Sequence, residues 1–269
     1  MRIAVPVLAL VLAACSAQPA PDDTATGARP TIVSLNPCAD AILAEIAAPE
    51  QVLAVSHYSH DPRASSMPAR QARRYASTGG TAEEVLALAP DIVVADAFIA
   101  PSTRRALEQA GIAVVTLGIA QSLDDSLAQI AALGAATGNA ARAQDLSRKI
   151  AASWQAHRWD EEPVSALLWQ QGGIVAGEQS LAHALLRQAG FASLSAARGL
   201  GQGAYLPLEQ VLADPPQVVI TAGNEPAFSH PAMDAGTAHH DLDPALLYCG
   251  GPTIPRALAR LTEIRRELP

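Results

Sequence analysis

Glu83-Glu84-Val85-Leu86-Ala87-Leu88-Ala89-Pro90-Asp91-Ile92-Val93-Val94 is echoed in the second half of the chain by Glu209-Gln210-Val211-Leu212-Ala213-Asp214-Pro215-Pro216-Gln217-Val218-Val219-Ile220. Glu, Val, Leu, Ala, Pro and Val recur in register. Each copy follows a glycine-rich turn, Gly79-Gly80 in one case and Gly199, Gly201 and Gly203 in the other. Each opens a short amphipathic helix on its Glu, ends it before Pro, and enters an aliphatic run of the kind that forms a buried parallel strand. A helix-then-strand unit at the same stage of two halves predicts two similar α/β lobes with a cleft between them.

The 269 residues suffice for two lobes, and 49% apolar composition supports a packed core. A net charge of -8 counts against nucleic acid, and with Lys149 as the only lysine there is no polybasic patch for a membrane surface. At the N-terminus, Arg2 precedes an apolar stretch, Ile3 to Ala14, too short to span a bilayer as a mature helix. It ends in Leu12-Ala13-Ala14-Cys15, small residues before a cysteine. That pattern looks like a bacterial lipoprotein signal, with residues 1–14 removed and Cys15 carrying lipid; the alternative is a plain secretory signal cleaved nearby. Both export the protein. Residues 15–30, rich in Pro, Ala, Thr and Asp, form a flexible tether. Cys38 and Cys249 are then the remaining thiols in an oxidising compartment. An even pair invites a disulfide; two separate small buried side chains are the competing reading.

From Thr31 the pattern alternates. Strands are expected at 31–35, 51–56, 92–95 and 112–117, with helices from Asn36-Pro37 and over 102–110. This makes residues 31–120 an N-terminal α/β lobe. Residues 121–160 break the alternation with two apolar helical stripes: Leu123, Leu127 and Ile130, then Leu146, Ile150 and Trp154. The second, at roughly 30 Å, is long enough to join the lobes as a single long helix. Residues 161–269 form the C-terminal lobe, with strands at 164–169 and 217–222, a helix at 180–189 and a last helix from Ile254 to Glu267. No clear closing strand precedes Tyr248, because the stretch from Phe228 to Leu247 is polar.

In open parallel sheets ligands collect beyond the carboxyl ends of the strands. The residues there that point to ligand binding are Asn36, Pro37, His57, Tyr58, Phe98, Trp169, Gln171, Gly172, Asn224 and Tyr248. Aromatic and amide-rich with few charges, the set suits a large, partly apolar organic ligand held by stacking and hydrogen bonds. Enzyme readings fare poorly. Cys38 with His57 lacks a third orienting group, and no nucleophile-elbow, phosphate-loop or dinucleotide fingerprint is present. His57, His60, His230, His239 and His240, with Asp61 or Asp241, match no specific metal-ligand spacing. No catalytic residue, cofactor or metal site is expected.

Thr31 to Asp40 (TIVSLNPCAD), GGTAEEVLALAPDIVVA, PLEQVLADPPQVVI and YCGGP together resemble the periplasmic substrate-binding proteins of ABC importers for vitamin B12, ferric siderophores and haem. The resemblance spans nearly all of residues 30–268. It implies two Rossmann-like lobes joined by one long helix, a ligand in the cleft, and a monomeric chain in the periplasm handing its ligand to an ABC permease and its ATPase. It also implies one permease-docking Glu per lobe, which maps onto Glu83 and Glu209. The Cys38/Cys249 pair belongs to a subset of that family. A zinc- or manganese-binding protein of related architecture is the alternative. The second copy departs from the pattern in having Gln217 where the first has Asp91.

Overall fold

The structure, a computed structural model, describes residues 29–223 and 236–269. The expected signal segment, Cys15, most of the tether and Asn224 lie outside these residues. The first unit runs β1 (Ile32–Ser34), α1 (Pro37–Ile46), β2 (Val52–Ser56), α2 (Ala69–Ala72), β3 (Ser77–Thr78), α3 (Ala82–Leu88), β4 (Ile92–Asp96), α4 (Pro101–Gln109) and β5 (Ala113–Leu117). Its strands are all parallel, in the order β3-β2-β1-β4-β5. With β1 central, the chain changes winding direction beside it, which opens a crevice at the carboxyl ends of β1 and β4.

Two helices follow, α5 (Leu123–Ala136) and α6 (Ala140–Ala156), joined by the turn Thr137-Gly138-Asn139. The apolar stripes predicted both. The expected span was overestimated: α6 has 17 residues, about 26 Å of rise. Gly134 lets the two helices approach closely, since a Cβ there would overlap that of Ala143. α6 packs against both α1 and the last helix of the chain.

The second unit comprises β6 (Val164–Gln170), β7 (Ile174–Val175), α7 (Leu181–Gln188), β8 (Phe191–Ser193), α8 (Leu194–Ala197), β9 (Ala204–Tyr205), α9 (Leu208–Ala213), β10 (Val218–Ala222), β11 (Ala238–Leu242) and α10 (Ile254–Glu267). β8, β6, β10 and β11 are mutually parallel, while β7 and β9 add an antiparallel ribbon beside the end of β6. The closing strand that the polar composition concealed is β11, paired with β10 over five residues from Val218–Ala238 to Ala222–Leu242. Its sequence, Ala-His-His-Asp-Leu, shows no aliphatic run because an edge strand buries little; His240 instead meets Glu267 at 3.4 Å.

The buried side chains of α1, α6 and α10 (Ile42, Leu43, Ile150, Leu258, Leu261) form one continuous apolar core with the facing sides of both sheets. The far side of each sheet has a smaller core of its own. In the first unit it contains Val85, Val93 and Leu107, and in the second Trp169, Leu206 and Val211. The two sheets are thus joined through packed helices rather than through chain connections alone.

Candidate functional site

Three local devices build the rim of the crevice. Asn36 caps α1: its side-chain oxygen accepts from the backbone N–H groups of Cys38 (2.8 Å) and Ala39 (3.1 Å), and Pro37 occupies the first turn. Beyond β4, the Asp96 carboxylate accepts from the Phe98 backbone N–H at 2.6 Å, a turn that holds the ring outward. Beyond β2, Ser56 accepts from the Tyr58 N–H (3.3 Å) and starts a 3-10 turn, His57–His60.

Between the two units lies a cavity of about 320 Å³. The first unit contributes Asn36, Asp96, Phe98 and Ile119 to its lining, and the second Gln170, Ile174, Gln202 and Tyr248; Gln129 of α5 joins them. Phe98 is 78% exposed, Ile119 60% and Tyr248 40%. Large apolar side chains so open to water at a concave surface mark a binding site rather than a core. Among the described lining residues there is no Lys, Arg or His, and Asp96 is the one carboxylate. The Tyr248 phenol is pushed above its ordinary value, chiefly by burial and further by the charges of Asp243 and Asp61. It therefore stays protonated and can donate a hydrogen bond.

A smaller recess of about 220 Å³ adjoins this cavity through Asp96 and is lined by His57, Tyr58, Thr78, Gly80 and Thr103. Beneath the His57–His60 turn, the buried Asp40 of α1 accepts from the Ser56 N–H (2.9 Å) and the Ser59 hydroxyl (2.6 Å). Its pKa is raised to about 7 because burial outweighs the favourable polar contacts that Ser34, Ser59 and Ser56 offer the carboxylate.

The structure brings Asn36, Phe98 and Tyr248 to one cavity and His57 and Tyr58 to the recess beside it. Trp169 is a correction: only 4% exposed, it packs with Leu206 and Val211 on the far side of the second sheet and has no access to the cleft. Alternation along β6 explains this, since neighbouring side chains point to opposite faces and Gln170 is the one that reaches the cavity. Gln171 and Gly172 lie in an exposed turn outside the cavity lining, and Pro37 serves as a helix-start residue rather than a lining one. Ile119, Gln129 and Gln202 were missed. Ile119 could have been found by applying the strand-end rule to β5. Gln129 lies on a helix and Gln202 in a loop, and no local signal points either into the cleft.

Cys38 and Cys249 are bonded, with Cα atoms 5.2 Å apart and a sequence separation of 211. The bond lies in the cavity lining and ties the start of α1 to the loop before α10.

Glu83 and Glu209 occupy the same place in their copies, each the second residue of its helix, α3 and α9, and each exposed. Among the described residues neither has a hydrogen-bonding or ionic partner. Their neighbours differ: Glu84 turns back to accept from Thr78 Oγ1 (2.8 Å) and the Gly80 N–H (3.2 Å), and its pKa is lowered, first by Thr78 and then by the turn's amides.

A family model described as periplasmic binding protein matches residues 32–242. No curated protein sequence matches the chain. Among solved structures, the periplasmic heme-binding protein HutB of Vibrio cholerae is similar, with a TM-score of 0.73 at 18% identity, covering 87% of this chain and 98% of that one. The apo periplasmic heme-binding protein RhuT from Roseiflexus sp. RS-1 gives 0.69 at 22% identity, covering 87% and 95%. The periplasmic vitamin B12 binding protein BtuF of Vibrio cholerae gives 0.66 at 20% identity, covering 89% and 97%.

Proposed function

Because the chain belongs to the periplasmic binding protein family, a family of solute-binding proteins and not of enzymes, we propose that it captures a metal-chelate ligand outside the cytoplasm and delivers it to an ABC permease. The observation that carries this reading is the cleft between the two units, where Phe98, Ile119 and Tyr248 stand exposed among amides. Aromatic and aliphatic faces stack on a macrocycle, and Asn36, Gln129, Gln170 and Gln202 hydrogen-bond its rim. Structurally similar proteins are described as binding heme or vitamin B12. Of the three ligand types, corrinoid, ferric siderophore and haem, the corrinoid suits this lining best. Its amide fringe matches the cleft amides, and no described lining cation stands ready to meet the carboxylates of haem or an anionic siderophore.

Direct capture of zinc or manganese has less support, since among the described residues no three metal-ligating side chains converge. Lipid anchoring through Cys15 remains part of the proposal. Among the described residues no helix is long and apolar enough to cross a membrane.

Delivery falls to Glu83 and Glu209. Each sits in the first turn of a helix, where a carboxylate is favoured by the helix dipole, and is exposed for bidentate recognition by a permease arginine. Each helix runs back alongside the parallel strand that follows it, so both N-termini are expected at the carboxyl ends of the strands, where the cleft opens.

The test is a titration of the purified protein with cyanocobalamin, hemin and a panel of ferric siderophores, followed by intrinsic tryptophan fluorescence and calorimetry. One of these should bind stoichiometrically, and Phe98→Ala should weaken it at least tenfold, about 1.4 kcal/mol. Failure of the whole panel to bind would overturn the reading.

A further inference from the structure

We propose that Asp40 is a positioning residue for the ligand cleft, holding the His57–Tyr58 turn in its binding geometry through Ser56 and Ser59. The inference rests on the reading above, in which a metal-chelate ligand enters the cleft that the recess lined by His57 and Tyr58 adjoins.

Asp40 is fully buried, has no cationic partner and lies one turn into α1, just past the disulfide cysteine at position 38. A buried carboxylate without a counter-ion is costly and is rarely retained for stability alone. One of its oxygens, Oδ1, has no hydrogen-bond partner. The other, Oδ2, accepts both the Ser56 N–H at 2.9 Å and the Ser59 hydroxyl at 2.6 Å. Ser56 ends β2 and also accepts from the Tyr58 N–H, while Ser59 follows Tyr58 in the chain. One carboxylate oxygen therefore pins both sides of a turn whose middle residue, Tyr58, is 53% exposed at the recess. A short 3-10 turn with an exposed aromatic has little intrinsic stability, so this anchor fixes where the ring stands.

Hydroxyl and amide groups of Ser34 on β1, Ser56 on β2 and Ser59 on the turn face Asp40. The charged or titratable groups on the surrounding elements are Glu45 on α1, His57, Tyr58 and His60 on the turn, Arg70 on α2, Asp124 and Asp125 on α5, and Arg142, Asp145, Arg148 and Lys149 on α6. None of them is among the causes of its shift. With its pKa near 7, Asp40 exchanges its proton in the neutral range without a salt-bridge partner. The ionised form makes charge-assisted bonds to Ser56 and Ser59, and the acid makes weaker ones. Burial outweighs those bonds, so ionisation disfavours the buried, turn-pinning arrangement, and the turn is held more tightly below pH 7 than above it.

Two variants test this. Asp40→Asn keeps an oxygen acceptor in the site but cannot ionise, and Asp40→Ala removes the acceptor. Cyanocobalamin and hemin are titrated separately between pH 5.5 and 8.5, and amide exchange is followed across His57 to Asp61. Wild-type affinity should weaken about three- to tenfold as pH rises through 7 and the buried carboxyl ionises. Asp40→Asn should hold the low-pH affinity at every pH. Asp40→Ala should bind weakly throughout and exchange faster at 57–61, with core amides of β1 and β4 unchanged. Identical pH profiles in wild type and Asp40→Asn, or unchanged exchange at 57–61 in Asp40→Ala, would overturn the assignment. If the wild type binds neither compound, the ligand reading fails, and the exchange measurement still decides whether Asp40 holds the turn.

Discussion

The two copies of the repeat do the same structural job with different chemistry. Both bury their Val completely, Val85 beneath the first sheet and Val211 beneath the second, and both lead into an interior strand, β4 or β10. The position at which the copies depart, Asp91 against Gln217, performs one shared task with two residue types. Asp91 accepts from the Thr31 N–H at 2.7 Å beside the start of β1, and Gln217 accepts from the Ser165 N–H at 2.9 Å near the start of β6. In each lobe this side chain pins the neighbouring parallel strand in register. The helix starts differ more. Thr81 caps α3 through the Glu84 N–H at 3.2 Å, and Glu84 closes the turn before it, whereas α9 begins at Pro207 without a side-chain cap. What the lobe needs is shared: a buried Val, an exposed leading Glu and a strand pin.

The equivalence can be broken most severely at the buried positions. Val85→Ala and Val211→Ala should each destabilise by about 2 kcal/mol in urea titrations, through lost burial and a residual cavity. A much smaller effect in one copy would mean that its lobe is not built around the repeat. Next comes the cap. Thr81→Ala should cost about 1 kcal/mol, and no single replacement at Pro207 has an equivalent cap to lose.

Acid separates the copies more finely. The Asp91 pKa is depressed, chiefly by the hydrogen bonds from Thr31. Its contribution is present above the ordinary carboxylate range and is lost as pH falls through the depressed value. Gln217 has no such titration. Protection of the Thr31 amide should therefore decline below about pH 4 while that of Ser165 persists; equal loss at both would refute the assignment. Asp40 runs the other way. Its folded pKa is raised, so its contribution is fully present below the ordinary value of 3.8 and is lost as pH rises through about 7. Asp40→Asn should accordingly raise the urea midpoint at pH 8 and leave it nearly unchanged at pH 4.

The alternation of aliphatic runs and helical stripes made the two sheets legible, since buried parallel strands such as β4 and β10 leave an unmistakable apolar signature. β11 was hidden because an edge strand needs no such run, and β7 and β9 because two-residue strands carry no period. The cleft was legible where a strand end supplies the residue, as at Asn36 and Phe98. It was misread at β6, where a one-residue difference separates the core-facing Trp169 from the cleft-facing Gln170. Gln129 and Gln202 reach the cleft through tertiary packing that no local pattern encodes.

The central claim is that the repeat builds the lobes with its apolar part and presents its leading Glu outward for delivery. It is tested most directly by measuring ligand binding and cellular uptake in parallel for the double variant Glu83→Ala, Glu209→Ala. The account predicts wild-type binding and folding with uptake abolished. Wild-type uptake, or loss of binding together with uptake, would contradict it.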